Sequence, residues 1–204
     1  MKITIDPIWG VAAEHRGFYV TIRVLDYVTG CPIKKANGVV KEKMGLIDTG
    51  SSLSIFPRSM LHEENHTFDH PSVEKRDILT TESMGSELNL WGYKHLSVVE
   101  ISTSKSSQKA IVVCQPYYID TKWTVVSREE TKGKLMLGKT QFDQDCIIGM
   151  DLLTYFDVVI VRGRQKEAMN PVCSLNGSGQ FVFNSWNSAK GFVSDKFKCH
   201  RIQG

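Results

Sequence analysis

The sequence predicts an all-β chain, a barrel or sandwich built from many short strands. Three observations carry that prediction. Short runs alternate apolar and polar residues and are rich in Val, Ile, Thr, Phe and Tyr. Gly, Asn and Pro punctuate those runs as turn signals. Segments with a helical period are few and short, and no apolar run reaches the roughly 18 residues of a membrane span. The 204 residues are 41% apolar and 23% charged, which suits one good-sized globular domain.

Met1 to Asp6 alternates like a strand and lacks the apolar core of a signal peptide, so a cytoplasmic location is expected. Residues 17–26 read as a strand. Thr29-Gly30 and Asn37-Gly38 mark turns, with an exposed loop from Cys31 between them. Val39 to Lys41 and Met44 to Asp48 lead onward as strand. Pro57 suits the first turn of a short helix over Arg58 to Glu64. Residues 65–77 are polar and read as a loop. Ile78–Thr81 and Glu87–Trp91 flank Glu82-Ser83-Met84-Gly85-Ser86 as a β-hairpin. Strands follow at Leu96–Ile101 and Ala110–Cys114, joined by a polar turn.

Residues 115–144 are less regular and read as an insertion, with short strands at Thr124–Val126 and Lys134–Leu137. After Ile147-Ile148-Gly149, Leu152, Leu153 and Phe156 mark a short amphipathic helix, and Asp157–Val161 a strand. Ser174 to Asn184 reads as a hairpin around Asn176-Gly177. The expected organisation is a main domain over residues 1–161 and a basic extension over 162–204, a hairpin packed on that domain. The extension holds seven basic against two acidic residues, which leaves the rest of this +3 chain at −2. It has no dense Lys/Arg run, so a solvated face is expected rather than a nucleic-acid surface. The five cysteines are odd in number, widely spaced and free of any CxxC pair, which argues for reduced thiols rather than disulfides or zinc.

The chain is organised around Gly45-Leu46-Ile47-Asp48-Thr49-Gly50-Ser51-Ser52-Leu53-Ser54-Ile55-Phe56-Pro57. A carboxylate at the end of an apolar strand costs several kcal/mol, on the order of the desolvation penalty of an ion, unless it has a use there. The following hydroxyls and glycine supply donors and a tight turn, the means to hold a carboxyl group rigidly at the base of a cleft.

Asp-Thr-Gly behind two aliphatic residues and before Ser-Ser resembles the catalytic loop of aspartic proteases. Ile147-Ile148-Gly149-Met150-Asp151-Leu152-Leu153 resembles the strand and short helix near the C-terminus of the retroviral-type, retropepsin-like members. Thr80 to Gly92 stands between them like the flap hairpin, with Met84, Gly85 and Ser86 at its tip. The resemblance covers about residues 17–161. It implies a retropepsin-like barrel with one or two short helices, a flap, and N- and C-terminal extensions. It also implies that Asp48 is catalytic, supported by Thr49, Gly50 and Ser51, and that Ile147, Ile148 and Gly149 thread behind the catalytic loop. Thr49 would brace the site across an interface, and Ser51 would hydrogen-bond the carboxylate. The flap here is poorer in glycine than that of the viral members, and the chain is longer.

Such chemistry needs two carboxylates sharing a proton, because like charges about 3 Å apart cannot both ionise. The sequence holds one Asp-Thr-Gly and no Asp-Ser-Gly. The expectation is therefore a homodimer with Asp48 and its mate at a twofold axis, no cofactor or metal, no membrane association, and an extended peptide or polyprotein as substrate. Two other readings compete. One is an inactive module that keeps the fold to bind peptide or to dimerise. The other is a zinc hydrolase on His62-Glu63-Glu64-Asn65-His66, with His70 as a third histidine. Pro71 and the scarcity of apolar residues deny that motif a packed helix. No Gly-x-Ser-x-Gly setting supports a serine nucleophile.

Overall fold

A computed structural model describes residues 2–12, 15–62, 77–83, 86–104, 106–119, 124–127, 136–138, 146–161, 171–178 and 180–202. The described chain is mostly β, with the larger of two sheets curled into a half-barrel. Strands β1 (Lys2–Ile5), β2 (Ile8–Ala12), β3 (His15–Leu25), β4 (Glu42–Ile47) and β5 (Ile55–Pro57) come first, and one 3-10 turn follows at Arg58–Met60. Strands β6 (Asp77–Ser83), β7 (Ser86–Lys94), β8 (Ser97–Thr103), β9 (Ser106–Cys114), β10 (Tyr117–Ile119), β11 (Thr124–Ser127), β12 (Met136–Gly138) and β13 (Cys146–Ile148) come next. Helix α1 (Met150–Leu153), strands β14 (Phe156–Val161), β15 (Val172–Ser178) and β16 (Val182–Phe183), and helix α2 (Trp186–Ile202) complete the order.

The large sheet runs β12-β11-β7-β10-β5-β13-β4-β3-β8-β9-β16, with β2 on β3 and β6 on β7. The small sheet is β1-β15-β14. Alternation decides which side chains enter the core. On β3, Val20, Ile22 and Val24 are buried, and they pack with Val99, Ile101, Ala110 and Val112 of β8 and β9. Phe56 meets Tyr118 edge to face with ring centroids 5.8 Å apart.

Most of the expected strands are present. The turns at Gly30 and Gly38 both take positive φ, at 71° and 81°. The Gly30 position is doubly restricted, since a Cβ there would lie 2.1 Å from the Trp186 ring. The hairpin of β6 and β7 pairs Thr81 with Leu88 and Ser83 with Ser86, and its connection, Met84-Gly85, lies outside the described residues. The expected helix at Arg58 is a single 3-10 turn. Cys114, Cys146 and Cys173 are buried, Cys31 and Cys199 exposed, and all five are free.

Three features differ from expectation. First, residues 115–144 hold, besides short strands where they were expected (β11 and β12), one strand that was not expected. Strand β10 is fully buried and lies between β5, which it pairs in parallel, and β7. Second, Ser174 to Asn184 is not a hairpin: β15 pairs with β14 and β1, whereas β16 pairs with β9 in the other sheet. Third, the chain after Asn184 is a 17-residue helix, not a short one and not part of a hairpin. Ser185 caps it, its carbonyl accepting the Ala189 N–H at 3.2 Å. Ala189 and Val193 are buried against Leu25, Val98, Ile111 and Val113, and Phe197 stacks on Tyr27 at 4.3 Å. Lys190, Lys196 and Lys198 are exposed. Among the described residues no helix is long and apolar enough to cross a membrane.

Candidate active site

Strand β13 is the wedge that shapes the Asp48 loop. It pairs in parallel with β4 (Ile147 beside Leu46, Ile148 beside Ile47) and antiparallel with β5 through Ile147 and Ile55. The chain between β4 and β5 must therefore pass around the end of β13. The Asp48 N–H donates to the Ile148 carbonyl at 3.0 Å, which fixes where the acid leaves the sheet. Gly149 follows at once and lies against the loop backbone. A Cβ there would come within 2.3 Å of the Leu53 carbonyl oxygen, so no other residue fits without moving main chain.

Successive N–H groups at the start of α1 then hold the loop. Gly149 donates to the Ser54 hydroxyl at 3.0 Å, Met150 to the Ser51 carbonyl at 2.8 Å, and Asp151 to the Ser52 carbonyl at 3.2 Å. Ser54 is fully buried, and its hydroxyl donates to Asp151 Oδ1 at 2.6 Å. The same oxygen accepts the Leu152 N–H at 2.8 Å. Leu152 and Leu153 are buried beneath and anchor the turn.

The Asp48 side chain is half-buried, whereas Thr49 and Gly50 are exposed. Its Oδ1 accepts the Gly50 N–H at 2.9 Å, and its carbonyl accepts the Ser51 N–H at 3.2 Å. Its Oδ2 has no hydrogen-bond partner among the described residues. The expected bond from the Ser51 hydroxyl is absent. That hydroxyl donates instead to the Leu53 carbonyl at 2.7 Å, because the loop doubles back and brings this acceptor two residues away. Ser51 therefore shapes the loop rather than touching the acid.

Sequence reasoning missed Ser54 and Asp151 as parts of this loop. The available signal was a serine enclosed by Leu53 and Ile55-Phe56, a polar group destined for burial and so in need of a partner. Burial, with the Asp151 charge adding to it, pushes the Cys114 thiol well above its ordinary range. Cys114 is thus a protonated core thiol and no nucleophile.

Ile147 and Ile148 lie in β13, which pairs with β4 and β5 on either side of the loop. Ser86 opens β7, while Met84 and Gly85 fall outside the described residues. Strand β7 pairs with β10, and β10 with β5, so the base of the hairpin is tied to the far arm of the Asp48 loop. Of the alternative zinc motif, His62 pairs with Asp26 at 3.3 Å, and Glu63, His66 and His70 fall outside the described residues. Among the described residues no group of three His, Cys, Asp or Glu side chains could hold a metal. Set against family models, characterised proteins and solved structures, the chain gives no match.

Proposed function

We propose that this chain is one half of a retropepsin-like aspartic endopeptidase, completed by a second copy of itself. The observation that carries the reading is how Asp48 is held. A half-buried carboxylate is set at a strand end by β13, on a loop fixed from behind by three consecutive N–H groups, and its Oδ2 has no hydrogen-bond partner among the described residues.

One Asp48 cannot do the chemistry alone. With a second at the axis, the pair holds a single proton, and its titration belongs to the pair. The ionised member takes a proton from a water lying between them. The protonated member gives its proton to the scissile carbonyl oxygen, and a tetrahedral gem-diol results. The protons then return through the same pair as the amine leaves. The β6–β7 hairpin supplies an edge along which an extended peptide can lie.

The test is cleavage of a library of apolar-rich peptides from mildly acidic to neutral pH by the wild-type chain and by Asp48→Asn, with and without a chelator. Cleavage by the wild type alone, indifferent to chelator, is expected. Cleavage that survives Asp48→Asn but stops with chelator would assign the activity to a metal. Binding without cleavage by both proteins would make the chain a peptide-holding module.

A further inference from the structure

Helix α2 presents two stripes to the rest of the molecule. Ala189 and Val193, one turn apart, are buried and dock the helix on the sheet. Phe192, Lys196 and Cys199 recur at helical spacing as a second stripe, and this one borders a cavity of about 640 Å³. Its other walls come from Lys94 at the end of β7, from Val113 and Cys114 at the end of β9, and from Leu53, Asp151, Tyr155 and Phe181. The volume falls in the range of small-molecule sites, about 300–1,000 Å³.

The cavity joins an apolar wall to unbalanced charge. Tyr155, Phe181 and Phe192 form a row of rings, with centroids 6.1 Å and 5.7 Å apart along it. Phe181 is 43% exposed, so the core leaves its ring uncovered. Lys94 and Lys196 are exposed at the rim, and neither pairs with a carboxylate among the described residues. Lys196 Nζ stands 5.5 Å from the centroid of the Phe192 ring, beside the apolar wall. The acid among the described lining residues is Asp151, whose Oδ1 is already taken by the Ser54 hydroxyl and the Leu152 N–H. Tyr155 and Cys114 stay neutral, because burial raises the pKa of both. Two ammonium groups against one carboxylate leave the lining net positive.

We infer that this cavity binds a small amphipathic anion, a molecule with one carboxylate head and an apolar body. The head sits with the Lys94 and Lys196 ammonium groups, and the body lies against Phe181, Phe192 and Leu53. Charge fixes the orientation and the rings supply the apolar contact. Leu53 and Asp151 also build the Asp48 loop, so the body rests on residues of that loop, whereas Asp48 is not among the described residues that line the cavity. The inference goes beyond the endopeptidase reading and does not depend on it.

The test uses the full chain and three probes with one tail and different heads: decanoate, decanol and decyltrimethylammonium. Isothermal titration calorimetry should show saturable one-to-one binding of decanoate, with the other two at least about 10-fold weaker. Lys94→Gln with Lys196→Gln should weaken decanoate at least about 10-fold. Lys190→Gln with Lys198→Gln, which removes the same charge from exposed α2 positions that do not line the cavity, should leave its Kd unchanged. In a Cys31→Ser background Cys199 is the remaining exposed thiol, and saturating decanoate should slow its alkylation by a maleimide several-fold. The inference is overturned by absence of saturable binding, by equal affinity for the three heads, or by preference for the cationic head. Equal effects of the two lysine pairs, or a Cys199 alkylation rate indifferent to bound decanoate, would overturn it as well. Each of these outcomes is read without peptide cleavage, so it leaves the endopeptidase reading standing, and failure to cleave leaves this site standing.

Discussion

Two aspartates serve the same loop assembly: Asp48 at its tip and Asp151 behind it, on α1. Asp151 spends Oδ1 on two donors, the Ser54 hydroxyl at 2.6 Å and the Leu152 N–H at 2.8 Å. Asp48 receives one side-chain bond, from its own neighbour Gly50 at 2.9 Å. The first acid is part of the scaffold. The second is presented by it. Each acid leaves its Oδ2 without a hydrogen-bond partner among the described residues, so the two differ in what Oδ1 holds: Asp151 ties a buried hydroxyl and a helix N–H, Asp48 only its own turn.

The sharpest way to break the comparison is Asp48→Asn. The amide keeps an acceptor for the Gly50 N–H, so the thermal midpoint should move little. Peptide cleavage should fall by at least about 10³-fold, equivalent to roughly 4 kcal/mol of transition-state stabilisation. A steady-state assay beside a calorimetric scan reads both. A variant that loses stability but keeps turnover would make Asp48 the structural acid.

Next in size is Gly149→Ala. Its Cβ would collide with Leu53 main chain at 2.3 Å, and backbone on both sides is pinned by β13 and α1. We expect a loss of about 3 kcal/mol in denaturant unfolding, accompanied by loss of cleavage. If stability is unchanged, the contact that wraps the loop around β13 is not tight.

Asp151→Ala comes third. It strands the buried Ser54 hydroxyl and should cost about 1–3 kcal/mol, with Asp151→Asn recovering most of it because an acceptor remains. Cleavage per folded molecule should fall far less than for Asp48→Asn. Equal losses of turnover in the two variants would erase the distinction between presented and scaffold acid.

Much of this was legible beforehand, and for physical reasons. The strands around Asp48 follow alternation, which is local, so β3, β4, β8 and β9 were readable from period alone. The apolar Ile147-Ile148 pair entering Gly149 was readable as the approach to a short helix, and its place behind the loop only from the resemblance. Strand β10 was not, since Tyr117-Tyr118-Ile119 is buried on every residue and carries no alternation. Helix α2 was lost differently. Its apolar residues, Trp186, Ala189, Val193 and Phe197, do recur at helical spacing behind the Ser185 cap, but the lysines and glycine among them dilute the stripe. The bond from Ser51 to Leu53 rather than to Asp48 depends on how the loop doubles back, which no spacing reveals.

A third aspartate gives the comparison its mildest test. Asp26 stands at the turn after β3, where its Oδ1 accepts the Val28 N–H at 3.0 Å, the Thr29 N–H at 2.7 Å and the Thr29 hydroxyl at 2.8 Å. Its Oδ2 meets His62 at 3.3 Å. Burial by itself would raise its pKa; the Thr29, Val28 and His62 hydrogen bonds outweigh it and hold the carboxyl below its ordinary value. A depressed folded-state pKa means that the ionised form is favoured by folding. Its contribution is complete above the unfolded carboxylate value of about 3.9 and disappears as pH falls through the lower folded value. With the side chain 26% exposed, the effect should stay under about 1 kcal/mol. Urea unfolding of wild type and Asp26→Asn at pH 6 and near pH 3 should show the wild-type advantage shrinking toward the acid end. An advantage that instead grew on acidification would mean that the turn prefers a protonated acid and that these three donors do not hold a carboxylate.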